Sequence, residues 1–484
     1  MRTVAIAGAS GFVGRALARA LGPDHGVIAL GRSPPADEPA GSDGPRPSLD
    51  WRRCDLFSLL DAERGLAGAD VGVYLVHSML PTSRLVQGHF QDLDLICADN
   101  FARAARRAGL RRIVYLGGLV PPAGGARLSA HLASRLEVER ALAAHGVPLI
   151  ALRASMVIGA GGSSFEIMVR LVERLRAMIC PAWTLTPTQP IALADVVRLL
   201  RFAIDDGDLP AGDYDVGGPD VVSYRALMGL TAARLGLPRR PMLPVPFFSP
   251  GLSRLWVSLF GGAPRALVMP LVQSLRHPMV ARDRRLQERA GVPGTPLVAA
   301  LDDALAARAA SARGGARLGA HPAQAIRRLA RPAGDVRSVQ RLALPRGHDA
   351  RWIADEYLRW LPRHLRFLLH VDITRGDGGG NGQGPPIVCQ FRFALLRRPL
   401  IELRFSPERS TPDRPLFYVT GGLLARRDPS RGRLEFRELP GRTTALAALH
   451  DYVPRLPFAV YVATQGLVHR MAMAAFARHL RHAA

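Results

Sequence analysis

The 484-residue chain predicts an α/β fold, a doubly wound parallel sheet with a small subdomain, followed by a helix-grip-like α+β domain. Three observations carry this prediction. The chain opens on TVAIAGASGFVGRALARALG, an apolar run from Thr3 that breaks into glycines and resumes at helical spacing. Apolar runs at 71–79 (VGVYLVHSM), 111–119 (RRIVYLGGL) and 149–159 (LIALRASMVIG) then alternate with helical stretches such as DLICADNFARAARRAG at 94–109. Beyond about residue 338 the pattern changes to one helix, several short strands and a long final helix.

The first strand runs from Thr3 to Ala7, and Phe12, Val13, Leu17, Ala18 and Leu21 then follow at the spacing of one helix face. The turn Gly8-Ala9-Ser10-Gly11-Phe12-Val13-Gly14 therefore joins a strand to a helix. Glycines at that place let the backbone turn tightly and approach a pyrophosphate, whose charge the free N–H groups and positive helix end stabilise. This is the arrangement of a dinucleotide-binding Rossmann fold.

VIALGRS makes the second strand and ends in Gly31-Arg32-Ser33. An acidic residue at that strand end would hold the ribose hydroxyls of NAD, whereas an arginine pairs with a 2′-phosphate. Arg32 thus favours NADP(H) over NAD(H), against the plainer account of a solvated loop arginine. Asp55, beside Leu56 in the CDL that closes the next strand, is placed to accept a hydrogen bond from the adenine amino group. His77 in the loop after YLV, Gly117 at the end of RRIVYLGG and Met156 after LIALRAS complete the expected cofactor contacts.

Composition limits the partners. The formal charge of +24 suggests a nucleic-acid binder, but all 64 basic residues are arginine, and a lysine-free chain rich in Ala, Gly and Pro is shaped partly by its coding composition. The arginine pairs are scattered, with no interleaved aromatics to stack bases, so nucleic acid is not an expected partner. Four separated cysteines form no CxxC or Cys/His cluster, which predicts neither disulfides nor a metal site and fits a reducing cytoplasm. Arg2 is followed at once by the first strand, leaving no room for a signal peptide. The apolar stretch 252–275 is broken by Arg254, Gly261, Gly262, Pro264 and Arg265, too often for a spanning helix, although it can lie against an inner membrane face or line a greasy pocket.

With these motifs the chain resembles an atypical, extended member of the short-chain dehydrogenase/reductase superfamily, of the kind related to the NADPH-binding accessory subunit of respiratory complex I. The likeness covers residues 1–305. It includes QPIALADVV (189–197) and YDVGGPDVVSYRALMGLTAARLG (214–236), which resemble the family's substrate subdomain, here from about 185 to 305. In catalytic members, the resemblance implies, a tyrosine exchanges a proton with the substrate oxygen while a lysine four residues on holds the cofactor ribose. A serine usually helps to hold the substrate.

Here the pair is missing. SAHLASRLEVERAL (129–142) places His131 and Arg135 where the tyrosine and lysine are expected, and no tyrosine occurs between Tyr115 and Tyr214. One account makes His131 a substitute acid, since an imidazole titrates near ~6.5 without a neighbouring cation, with Arg135 keeping the ribose. The other makes the domain a binder of NADPH that does not turn it over. Ser78, Ser155 and Gln189 are further hydrogen-bonding candidates.

Residues 306–337, rich in Ala, Gly and Arg, are expected to form a linker. In 338–484, DARWIADEYLRWLPRHLRFLL (349–369) predicts a helix with Trp352, Ile353, Tyr357, Leu358 and Trp360 on one side. GDGGGNGQGPP (376–386) reads as a hairpin loop. VRSVQRLALP and YLRWLP resemble a bacterial domain of unknown function that is similar to START-like lipid-binding domains, which implies an apolar small molecule as ligand. The expected function is an NADP(H)-binding oxidoreductase acting on an apolar or quinone-like compound in a cavity lined by His77, His131 and Met156. The competing expectation is a non-catalytic NADPH-binding sensor or assembly protein. An epimerase or dehydratase with tightly held NAD comes third, and Arg32 argues against it.

Overall fold

In the computed structural model the chain divides into two compact units, residues 1–81 with 94–326, and residues 82–93 with 327–484. The residues described are 1–32, 49–77, 85–121, 128–245, 274–313, 336–365, 369–375, 386–393, 396–426, 432–441 and 443–483. Ser33, Ser78, residues 252–273 of the apolar stretch, residues 314–335 of the expected linker and the loop 376–385 lie outside them.

The chain begins β1 (Thr3–Ala7), α1 (Phe12–Leu21), β2 (Gly26–Gly31), β3 (Leu49–Arg53), α2 (Leu59–Leu66) and β4 (Val71–Tyr74). β5 (Leu85–Gln87) is followed by α3 (Phe90–Arg107), β6 (Arg112–Gly118), α4 (Ala130–Ala143) and β7 (Leu149–Ala154). Next come β8 (Val157–Ile158), α5 (Ser163–Arg174), β9 (Met178–Pro181), β10 (Pro187–Thr188), β11 (Ile191–Ala192), α6 (Leu193–Asp205) and β12 (Gly212–Val216). The seven-stranded sheet has the order β12-β7-β6-β4-β1-β2-β3, every pair parallel. Its order reverses between β1 and β4, and the crevice at such a switch point is where an open parallel sheet binds its ligand.

Alternation along the strands builds the two faces. Val4, Ile6, Val73, Val114, Ile150 and Leu152 meet Leu17 and Leu21 of α1 and Leu199 and Leu200 of α6 on one face. Each of these leucines is fully buried, which contributes ~1.5–3 kcal/mol relative to exposure. On the other face Tyr74 packs edge-on to Phe101 of α3 at 5.2 Å. Gly72 is required beside it, because a Cβ there would lie 2.9 Å from the Phe101 ring.

The subdomain adds β13 (Val222–Ser223), α7 (Tyr224–Arg234), β14 (Met242–Val245), α8 (Arg285–Arg289) and α9 (Leu297–Arg313). α9 runs eight residues past the boundary expected at 305. Phe165 and Val169 of α5, Leu227 of α7 and Leu301 of α9 form its core. Asp195, wholly buried in the first turn of α6, accepts the Thr295 N–H at 2.6 Å and its hydroxyl at 3.2 Å, fixing the approach to α9.

The second unit contains β15 (Val336–Ala343), α10 (Ala350–His364), β16 (Leu369–Arg375), β17 (Pro386–Phe393), β18 (Ile401–Phe405), β19 (Leu416–Gly421), β20 (Arg433–Glu438), β21 (Thr444–Tyr452), α11 (Phe458–Ala463) and α12 (Gln465–Ala483). Its sheet has the order β16-β17-β18-β19-β20-β21-β15-β5, antiparallel except for β5, which pairs parallel to β15. Leu434 and Phe436 of β20 face the helices, where Tyr357 of α10 meets Phe436 at 5.6 Å and Phe476 of α12 at 5.1 Å. The intervening Glu435 and Arg437 point to the opposite face by the two-residue period of a strand.

Glu435 anchors a buried charge cluster. Its carboxylate takes Arg437 at 2.7 Å, Arg414 at 2.6 Å and His450 at 2.9 Å, all four side chains being at most 5% exposed. Burial alone would raise the Glu435 pKa, but Arg414, Arg437 and His450 outweigh it and hold the acid well below its usual range. Glu435→Gln removes the buried carboxylate charge that Arg414 and Arg437 share and is expected to cost ~3–5 kcal/mol in a urea melt. Burial also lowers the His450 pKa to about 4. The unfolded chain therefore takes up this proton first, so stability should decline as pH falls from ~6.5 toward ~4, with a weaker decline in His450→Gln.

Candidate functional site

The site starts where β1 ends. Gly8 has φ +91°, a conformation that costs a side-chain-bearing residue strain, and the Gly11 N–H bonds its carbonyl at 2.9 Å. Gly14, one turn into α1, lies so close that a Cβ on it would be 2.2 Å from the Gly8 oxygen. The helix start is thereby held against the turn. Gly11 caps α1 with no side-chain hydrogen bond, and no acidic residue occupies the first turn. An anion can therefore meet the positive helix end without competing with a protein carboxylate. Ala9 is buried beneath the turn, Ser10 and Gly11 are exposed, and Phe12 and Val13 are half-buried. Arg15, unremarked in the sequence pattern, donates to the Ser10 carbonyl at 2.9 Å and adds a cation beside this turn.

Arg32 is exposed at the end of β2. Asp55 lies just past β3, with one carboxylate oxygen accepting the Phe57 N–H at 3.2 Å. The carbonyl of Leu56 is held by the buried Asn100 amide at 2.9 Å. Gly117 at the end of β6 permits a close approach, since a Cβ there would sit 2.8 Å from the Tyr115 ring. The glycine turn, Arg32, Asp55, His77, Gly117 and Met156 each end or follow a strand of the parallel sheet, whereas Arg135 lies on α4.

His77 and His131 come together, their ring centroids 5.1 Å apart. His77 follows β4, and its Nδ1 bonds the buried Asp94 of α3 at 2.9 Å, so this N–H donates to the carboxylate and Nε2 is left with a lone pair. Among the described residues His77 Nε2 and His131 Nδ1, both buried atoms, have no hydrogen-bond partner. Burial, His77 and Arg135 push the His131 pKa down to about 3. Burial also lowers that of His77, helped by Arg135 and opposed by Asp94. Both shifts disfavour the charged form of the two imidazoles.

Arg135 does not stand free in the lysine position. Its guanidinium lies 5.0 Å over the Tyr115 ring and donates to the Leu116 carbonyl, while the Tyr115 hydroxyl donates to the Arg135 carbonyl at 3.3 Å. These contacts tie α4 to β6. Burial raises the pKa of both nearby tyrosines, Tyr74 and Tyr115. Ser155 and Gln189 are occupied internally. The Ser155 hydroxyl donates to the Gln189 carbonyl, and the Gln189 side chain links the Gly218 carbonyl at 2.6 Å to the Ala281 N–H at 2.9 Å. Met156 is half-buried beside the subdomain core. Among the described residues no group of His, Cys, Asp or Glu is arranged to hold a metal.

Residues 4–217 match the model of the NAD dependent epimerase/dehydratase family. That span runs from β1 to just past β12 and takes in the whole parallel sheet. The first unit is a Rossmann-like parallel sheet flanked by helices. The auxiliary protein GraX of Staphylococcus aureus is 27% identical over 115 residues, 24% of this chain, and the chain spans 36% of that relative's length. A nucleoside-diphosphate-sugar epimerase structure from Staphylococcus aureus covers 62% of this chain and 100% of its own, at 16% identity and a TM-score of 0.49. An NADPH-dependent quinone oxidoreductase from Escherichia coli, complexed with NADPH, covers 62% and 98%, at 17% identity and a TM-score of 0.47.

Gly14→Ala forces a methyl group into the Gly8 carbonyl. We expect the variant to lose nicotinamide-dinucleotide binding, followed by cofactor fluorescence, and to melt at lower temperature as α1 is pushed off the turn.

Proposed function

We propose that the chain is an NADP(H)-binding oxidoreductase that reduces an apolar, quinone-like acceptor beside His77 and His131. The uncapped, acid-free start of α1 at the sheet's switch point carries this reading. The glycine turn and α1 hold the diphosphate, with Arg15 adding positive charge. Arg32, exposed at the end of β2, takes the 2′-phosphate. When bound, the nicotinamide supplies a hydride.

The two histidines orient the acceptor. Asp94 fixes the His77 ring, and an N–H at the unmet Nδ1 of His131 favours the acceptor oxygen while the His77 Nε2 lone pair suits a hydroxyl or water donor, because a buried polar atom without a partner costs ~1–3 kcal/mol. A neutral imidazole N–H on His131 polarises the acceptor carbonyl through a hydrogen bond without transferring its proton. The proton that completes reduction comes from water. Arg135 is a positioning residue, since its contacts with Tyr115 and Leu116 set the helix that carries His131. Epimerase or dehydratase chemistry lacks support in this site, where Tyr74 and Tyr115 are buried with raised pKa values and no lysine exists in the chain.

Titration with NADPH and NADH, followed by NADPH oxidation with a short-chain quinone, tests the proposal. Arg32→Gln should weaken NADPH binding by about tenfold or more while leaving NADH little changed, as loss of a charge-assisted contact requires. His131→Ala should lower turnover and His131→Gln, which keeps a donor, should retain more of it. With the His131 pKa near 3, turnover should show no inflection around pH 6.5. An inflection there that vanishes in His131→Gln would restore the substitute-acid mechanism, and NADPH binding without quinone reduction would leave a binding module.

A further inference from the structure

The C-terminal helices carry an outer surface that the oxidoreductase reading does not use. Phe458, Val460 and Val462 of α11 are 44%, 44% and 38% exposed, and Leu467, Val468 and Met471 of α12 are 41%, 59% and 63% exposed. In α12 these three follow at helical spacing on the side away from Met473, Phe476 and Leu480, which are buried in the unit's core. The same outer side changes character along the helix, from apolar at Leu467, Val468 and Met471 to basic at Arg478 and Arg481.

Charge identifies the occupant. From Tyr452 to Ala484 the sequence contains Arg455, Arg470, Arg478 and Arg481 and not one aspartate or glutamate. Glu356 of α10, which meets α12, is already engaged, since it bonds His479 at 2.9 Å and Arg359 at 3.4 Å. We propose that α11 and α12 dock the chain on an anionic lipid surface, with Leu467, Val468 and Met471 of α12 and Phe458 and Val462 of α11 entering the headgroup boundary and the arginines meeting lipid phosphates. An apolar face combined with an uncompensated basic one is the composition of an interfacial helix. A second copy of this chain suits the face less well, because its matching patch would bring arginines to arginines with no carboxylate between them. No helix among the described residues is long and apolar enough to cross a membrane, so the attachment is a surface one.

The test is co-sedimentation of the full chain with vesicles of phosphatidylcholine alone and of phosphatidylcholine mixed with phosphatidylglycerol. We expect binding to the mixed vesicles that falls in high salt, and at least tenfold weaker binding for Val468→Asp combined with Met471→Asp. Both positions are exposed, so the variant should keep its thermal melt and its NADPH binding, which serve as controls for folding. As a second variant, Arg478→Gln with Arg481→Gln should reduce binding without adding a negative charge. Failure of the wild-type chain to bind the mixed vesicles would overturn the proposal. So would equal binding by the Asp variant, which would mean that the general excess of arginine attracts lipid and this face does not. A concentration-dependent dimer that the Asp variant abolishes, with no vesicle binding, would assign the face to a second copy instead.

Discussion

The contact between Gly14 and the carbonyl of Gly8 is the constraint on which the first unit depends. With no Cβ at position 14, α1 starts against the turn that follows β1, and the sheet's switch point opens directly onto the helix end. Leu17 and Leu21 are then placed to fill the face shared with α6, so one steric allowance sets both the core packing and the open helix end. The absence of a capping side chain at Gly11 belongs to the same arrangement, because a cap would occupy the N–H groups that a diphosphate needs.

The other end of the crevice has been built without the usual tyrosine and lysine. Its polar atoms are concentrated in Asp94, His77 and His131, and burial disfavours the charged form of both imidazoles. Arg135 contributes twice to that state. It packs over Tyr115 and fixes α4, and its charge disfavours protonation of the two rings nearby.

The second unit is stabilised by a different compromise. One face of its sheet is closed by aromatic contacts among Tyr357, Phe436 and Phe476, while the opposite face buries Glu435 with Arg414, Arg437 and His450. Such a cluster contributes little net stability compared with apolar packing, and its contact between Glu435 and His450 joins β20 to β21. The parallel addition of β5 to β15 places residues 82–93 in this unit, with Asp92 paired to Arg341 at 2.8 Å.

Much of this was legible in one dimension. Glycine spacing between a strand and a helix, the alternation of apolar runs and helical stretches, and the switch of pattern near residue 338 all act over a few residues, where periodicity and backbone freedom are local properties. The lack of a tyrosine-lysine pair needed only the sequence. Contacts distant along the chain left no such trace. Nothing local to Asp94 marks it as the partner of His77, and nothing in QPIALADVV shows that Gln189 is tied to Gly218 and Ala281. The protonation state of His131 was also hidden, because it follows from burial and from the proximity of His77 and Arg135. Segment 82–93 carries a strand too short to reveal its pairing, and only the folded chain brings it beside β15. The sequence by itself determined the kind of backbone and the place of the glycine turn, because both are set within a few residues; folding in three dimensions determined which distant polar groups meet and how deeply they are buried.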